Sequence, residues 1–458
     1  MNYKWFPIGW SVFAHDVGDG NDPYEQDWEN GTVEYLHSEQ EMYWINCLYL
    51  EPLNNYEAWG LPVQRWRSDQ WTTTATYERM LDALETKRIQ TSGVYDFKAL
   101  AAISTIAIPT PTQYQMNSPG TWRDFPEDNG VSSDIPASNL EIFEHRINYL
   151  EDKPQLVGWI LANEPYGGKG AEDAGRRDAV HTDLLFLRGT MESEDDNSAD
   201  HPIHATLRSY GNYFNVDANK NPIAPPSSWL DDLNVADVVH DDLYNVDYFS
   251  PNNVGLIEAV RRTQAAMTYL LDPAPGMPTY DDDIHAWLLH SQGMYMACAN
   301  PQYEEEYGYL HEEQLRYVNY AAWINGAQGA MFWLLSKSNT TAFPRAKKIS
   351  YEAHLVSEYL MEPDAGIAAT ITSTEGDETV QFILRRHPDY QDQVLIMICN
   401  NTDEEADIWV YFPQSCEIQQ VEQLVQSYQW SCIVYSDRIN IGMGPWKARA
   451  FILHVDED

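Results

Sequence analysis

Two hydrophobic rhythms alternate along most of the chain. Short apolar runs recur, and between them lie longer stretches whose apolar residues fall three and four apart. The first pattern predicts buried strands and the second amphipathic helices. Strands are predicted at 6–13, 44–50, 100–108, 156–163, 202–207, 235–243, 284–289 and 330–335. Helices are predicted at 76–88, from Ser138 or Asn139 to Leu150, and at 176–187, 254–271, 312–325 and 343–360, with 38–43 as the tail of another. Eight strand–helix alternations are the rhythm of a (β/α)8 TIM barrel. From about Ile367 the helical period stops. Short alternating runs follow at 379–384, 394–399, 406–412, 431–435 and 448–455, separated by turn residues such as Asn400-Asn401 and Gly442-Met443-Gly444. The expected fold is therefore α/β, with a (β/α)8 barrel over 1–362 and a small C-terminal antiparallel β-sandwich over 363–458.

The fourth predicted strand carries the strongest chemical signal. Its apolar run from Leu156 leads into Asn163-Glu164-Pro165-Tyr166, where Pro165, Gly167 and Gly168 end it. An Asn-Glu pair thus stands where a strand leaves a barrel wall, and in such barrels that end floors the active site. A carboxyl between Trp159 and Tyr166 is expected to be partly desolvated, which raises its pKa toward that of a proton donor. Most strand-end glutamates cap loops or pair with arginine; the Asn-Glu-Pro triplet after a Trp-containing strand favours chemistry here.

The triplet resembles the fourth strand of retaining glycoside hydrolases with a (β/α)8 barrel, the large clan that includes β-galactosidases and cellulases. The resemblance implies that Asn163 contacts the sugar 2-hydroxyl and that Glu164 is the acid/base. It also implies a nucleophilic Glu at the end of strand seven. That end reads His290-Ser291-Gln292, with an amide in place of the carboxylate. Glycoside hydrolysis needs two carboxyls flanking the scissile bond, so the second must come from elsewhere. Asp242 or Asp241 ends strand six, and alternation turns only one of the two inward. Asp242 is preferred, because Tyr244 shares its parity. A strand-four/strand-six carboxyl pair is also the arrangement of the α-galactosidase-like barrels. Glu51, ending strand two, is the weaker option. Tyr166, Tyr210, Tyr244, Gln292 and Trp333 are the expected lining of the sugar subsite. A structural or hydroxyl-binding role for Asp242 stands beside the catalytic one. The rival to an enzyme is a pseudo-glycosidase that binds glycan without cutting it, as a surface or virion attachment protein does; Gln292 is the residue that favours it.

Composition narrows the partners. The chain has 458 residues with 70 acidic against 28 basic, a net charge of −42. Such a field repels nucleic acid and anionic membranes, and it suits a saline setting. No apolar run approaches the roughly 20 residues needed to span a bilayer, and Met1 to Pro7 lacks a signal-peptide layout. The 16 Trp and 29 Tyr suit both a core and stacking on sugar rings. The five cysteines show no CxxC and no zinc spacing and are expected as free buried thiols, with a Cys416–Cys432 bridge the alternative in an oxidising compartment. Neither Asp16, Asp19 and Asp22 nor Asp217, Asn219 and Asn221 complete a calcium loop. There is no HExxH, GxGxxG or P-loop, and Ser291 lacks a nucleophile elbow for a triad with His290 and Asp242. The expectation is a carbohydrate ligand with neither metal nor cofactor.

Overall fold

A computed structural model describes residues 6–14, 46–52, 74–94, 96–102, 137–163, 174–198, 200–208, 235–242, 286–291, 312–332, 342–402, 404–424 and 432–457. Eight strands, β1 (Ile8–Ala14), β2 (Cys47–Pro52), β3 (Lys98–Ala101), β4 (Leu156–Asn163), β5 (Ile203–Arg208), β6 (Val238–Asp242), β7 (Ala286–Ser291) and β8 (Ala330–Phe332), pair in chain order. Each runs parallel to the next and β8 returns to β1, so the ring closes. Five α-helices are described: α1 (Thr74–Gln90), α2 (Ala137–Leu150), α3 (Ala174–Glu194), α4 (Glu312–Ile324) and α5 (Ala342–Leu360).

Side-chain alternation along the strands sorts two buried clusters. Leu48, Leu50, Ala99, Trp159, Leu161, Ile203 and Phe332 face outward and share one cluster with helix residues such as Tyr77, Leu84, Ile147 and Leu187. Cys47, Leu100, Ala102, Ile160, Val238 and Met331 form a second, inside the barrel. Gly158 sits on this inner side where nothing larger fits. A Cβ there would lie 2.7 Å from the Pro202 carbonyl oxygen and 3.0 Å from His204 Nε2.

Trp159 and the acidic run after α3 depart from expectation together. The run Glu192, Glu194, Asp195, Asp196 reads as a solvated turn, but α3 continues through Glu194 and Asp195 is buried. The cause is Trp159. Its indole points outward from the barrel and needs an acceptor in the core. Trp159 Nε1 donates to Asp195 Oδ2 at 2.6 Å, and His201 Nδ1 approaches the same oxygen at 2.9 Å. Burial alone raises the Asp195 carboxyl, but the hydrogen bonds from His201 and Trp159 outweigh it and hold its pKa below the usual value.

The C-terminal strands are β9 (Thr370–Ser373), β10 (Val380–Arg386), β11 (Gln393–Asn400), β12 (Ala406–Tyr411), β13 (Cys416–Gln423), β14 (Cys432–Val434), β15 (Arg438–Met443) and β16 (Ala448–Glu457). They form two antiparallel sheets, ordered β10-β11-β16-β13 and β14-β15-β12-β9. Three of them escape the hydrophobic pattern. β9 and β13 bury little, so TITS and CEIQQVEQ carry few apolar residues. In β15, Gly442 and Met443 continue a strand where the sequence reads as a turn. One cluster takes Val394, Ile396 and Leu453 from the first sheet and Ile408, Val410 and Ile441 from the second. The first sheet is buried on its other face too, since Leu395, Met397, Ala448 and Ala450 join the barrel's outer cluster.

Polar contacts join the sheets to α4. Tyr317 donates to Asn401 Oδ1 at 2.7 Å, and Arg449 Nη1 lies 3.0 Å from Glu313 Oε2. Arg316, almost fully buried on the same helix, bonds both oxygens of Glu352 on α5, at 2.8 and 2.6 Å, and also reaches Glu312 and Glu313. Among the described residues Cys47, Cys399, Cys416 and Cys432 are thiols that form no disulfide with one another.

Candidate functional site

Because all eight strands are parallel, their C-terminal ends open onto one rim. Backbone register fixes which residues reach it. Asn163 closes β4 and pairs with Thr206, which pairs with His240. A register shift between Ile160 and Ala162 makes this so. Without it Asn163 would fall opposite Leu207, in the outward row. Such irregularities at barrel rims re-aim a residue, and here the shift sets Asn163 in the row of the buried inner residues Thr206 and His240. One step further toward the rim runs the row Arg208, Asp242, His290, in lateral register across β5, β6 and β7. His290 pairs in turn with Met331 of the inner cluster.

Asp242 therefore stands on the inward row and Asp241, opposite Leu207 and Leu289, on the outward one. Glu51 of β2 pairs with Phe13 and shares the parity of Cys47, an inner residue. Asn163, Asp242 and Glu51 are thus brought to the same rim. Glu164, Tyr166, Tyr210, Tyr244, Gln292 and Trp333 lie outside the described residues. Each follows a barrel strand within three residues: Glu164 and Tyr166 after β4, Tyr210 after β5, Tyr244 after β6, Gln292 after β7 and Trp333 after β8.

One expectation about the surroundings changes. Trp159 faces α3 and Asp195, away from the barrel interior, so it does not desolvate a carboxyl at the rim. Tyr77, Trp159, Tyr320 and Trp323 are rings of the core.

Sequence reading overlooked a histidine pair beneath the rim. His204 on β5 and His240 on β6 are fully enclosed, with His204 Nδ1 2.8 Å from His240 Nε2 and the rings edge to face at 5.1 Å. Burial lowers the His204 pKa to about 3, so this imidazole is neutral at ordinary pH. The available signal was parity: His204, Thr206 and Arg208 alternate along one strand, and His240 and Asp242 along the next. Among the described residues no group of three or more His, Cys, Asp or Glu side chains is placed to hold a metal ion. No described helix is long and apolar enough to cross a membrane.

No protein-family model matches the chain, and no curated protein sequence does. Similar solved structures include a family 27 glycoside hydrolase, the β-L-arabinopyranosidase of Geobacillus stearothermophilus, at a TM-score of 0.51 and 9% identity over 98% of this chain and 96% of that one. The α-amylase of H. orenii aligns at 0.49 and 9% identity over 98% of this chain and 100% of its own. A possible α-galactosidase structure from Bacteroides fragilis gives 0.48 and 8% over 99% and 80%. At such identities the arabinopyranosidase likeness speaks for the fold alone. The fold is glycoside-hydrolase-like.

Proposed function

We propose that the chain is a glycoside hydrolase acting on an oligo- or polysaccharide, built as a (β/α)8 barrel with a C-terminal β-sandwich. Glu164 is the general acid/base, Asn163 positions the sugar, and Asp242 is the second carboxyl. Tyr166, Tyr210, Tyr244, Gln292 and Trp333 line the subsite. The observation that carries this reading is the shared rim: Asn163 and Asp242 close β4 and β6 at the same end of a closed parallel barrel.

β4 and β6 are two strands apart, about 10 Å at ordinary strand spacing. Glu164 is bonded to Asn163, so its Cα lies about 3.8 Å further along the chain. Glycoside hydrolysis uses two carboxyls roughly 5–9.5 Å apart, and strands two apart in the wall are within side-chain reach of that separation. With the second carboxyl on β6, Gln292 after β7 needs no nucleophilic role and is free to bind a hydroxyl. In this reading Asp242, which Arg208 and His290 flank in register, works as the ionised carboxyl of the pair and Glu164 as the protonated one.

The test is turnover on a panel of polysaccharides and aryl glycosides. Glu164→Gln and Asp242→Asn should each lower kcat by about a hundredfold or more, with the fold intact by circular dichroism. Undiminished turnover in either variant removes that residue from the chemistry. No turnover on any substrate, with binding on a glycan array that Trp333→Ala abolishes, would leave the binding-only reading standing instead.

A further inference from the structure

The second sheet of the sandwich, β14-β15-β12-β9, turns one face to the core and the other away from the barrel. Alternation along β12 sends Ile408 and Val410 into the cluster between the sheets, which leaves Trp409 and Tyr411 on the opposite face. Register carries that face across the neighbouring strands. Trp409 pairs with Thr372 of β9 and Asn440 of β15, and Tyr411 pairs with Thr370 and Arg438. Tyr435 follows β14, and its backbone N–H donates to the Arg438 carbonyl. Its ring thereby comes to 6.1 Å from that of Trp409.

The rings on this face share an orientation. The Trp409 plane is tilted 20° from that of Tyr411, at 6.3 Å between centroids, and 28° from that of Tyr435. Arg438 holds its guanidinium over two of them, 4.6 Å from the Tyr435 centroid and 5.7 Å from that of Trp409. Asp437 approaches the same guanidinium at 3.5 Å and offsets its charge. Thr370 and Thr372, both exposed, border the rings on the β9 side. Tyr435 itself is 40% exposed, and so is much of Ile433 on the edge strand β14. Edge strands are commonly blunted with charge, yet Cys432-Ile433-Val434 carries none in a chain with 70 acidic residues.

We propose that this face is a second carbohydrate site, remote from the barrel rim, which takes the chain of a neutral polysaccharide. A sugar ring presents a flat C–H face edged with hydroxyls. Aromatic rings of common orientation match such faces, while the threonine hydroxyls and the N–H groups of Arg438 match the edges. Rings set edge to face, as Tyr317 and Trp446 are at 79°, offer no common surface to an extended ligand. The net charge of −42 opposes an acidic chain, and Asp437 already occupies the one cation of the face, so a neutral chain fits best. The choice of a glycan rests on the glycoside hydrolase reading of the barrel. Joined to that activity, the face would hold the enzyme on a polymer and raise the local concentration of cleavable bonds.

Affinity electrophoresis of the full chain, through gels holding soluble starch, xylan, mixed-linkage β-glucan or galactomannan, tests this. Retardation in at least one gel is expected, and Trp409→Ala should weaken that binding about tenfold or more. Tyr435→Ala changes an exposed ring, should weaken it in the same direction, and decides the matter if W409A fails to fold. No retardation in any gel overturns the proposal. Equal retardation of the wild type and both variants also overturns it, by placing the binding in the barrel. So does a wild-type dimer in light scattering that W409A dissolves, which would make the face a contact between copies of the chain. Any turnover of small aryl glycosides should be unchanged in W409A, whereas Glu164→Gln should lose that turnover and keep the retardation. The barrel activity and the second site therefore fail separately.

Discussion

Asp195 shows how much one side chain can hold at the closed end of a barrel. It accepts from Trp159 and His201 and from the backbone N–H of Asn197, tying β4, the end of α3 and the turn into β5 at a single carboxylate. Asp195→Ala leaves a buried indole N–H and an imidazole without their acceptor. Such losses cost about 2–4 kcal/mol, and thermal or urea unfolding of the variant should show it. A change below about 0.5 kcal/mol would mean water replaces the carboxylate. The lowered Asp195 pKa makes its contribution complete above an unfolded carboxylate's value near 3.9 and lost only in stronger acid. The acidic run in which it lies looks solvated because no neighbour in sequence announces the partner: Trp159 is 36 residues away. The register shift that sets Asn163 opposite Thr206 is hidden for the same reason, since an alternation count along β4 alone cannot see β5.

At the scale of elements, α4 is the hinge of the packing. Arg316 ties it to α5 through the carboxylate of Glu352, and burial raises the Glu352 pKa even against that pairing. Arg316→Ala strands the Glu352 carboxyl in the core, at an expected cost of about 3–5 kcal/mol. Combining it with Glu352→Leu should recover much of that loss, because the buried charge goes with it; urea midpoints of the two variants and the wild type make the comparison. Recovery of nothing would place the loss in packing instead. The helices that were plain in the sequence are those like α4, whose apolar positions Leu315, Val318, Ala322 and Ile324 repeat at helical spacing. The barrel strands were equally plain, because both their faces are covered and they read as continuous apolar runs. β9, β13 and β15 were not. Each covers one face only, or holds glycine inside the strand, so composition alone does not separate it from a loop. At the candidate site, sequence order brought Asn163, Asp242 and Glu51 to strand ends, but His204 and His240 gave no motif.

For the whole molecule, a net charge of −42 means that compactness works against self-repulsion. Salt shortens the reach of that repulsion from about 10 Å at 0.1 M to about 3 Å at 1 M. The melting temperature should therefore climb with sodium chloride, by about 2–4 °C for each kcal/mol regained. A scan in which it stays level or drops would show that local ion pairs, such as Arg449 with Glu313, outweigh the global field. The same field bears on the proposed substrate, since uronate-rich or sulfated glycans approach against it while neutral ones do not.

The position of β16 has one more consequence. Residues Ala448–Glu457 form an inner strand of their sheet, between β11 and β13, and Ala448 and Ala450 pack into the cluster that α4 helps to build. During translation the helix emerges well over a hundred residues before the strand that covers it. Until β16 is made, a growing polypeptide holds a barrel with that flank uncovered, at the stage when chaperones find their clients. A stop codon placed before Ala448 would take away an inner strand of the covering sheet, not a dispensable tail.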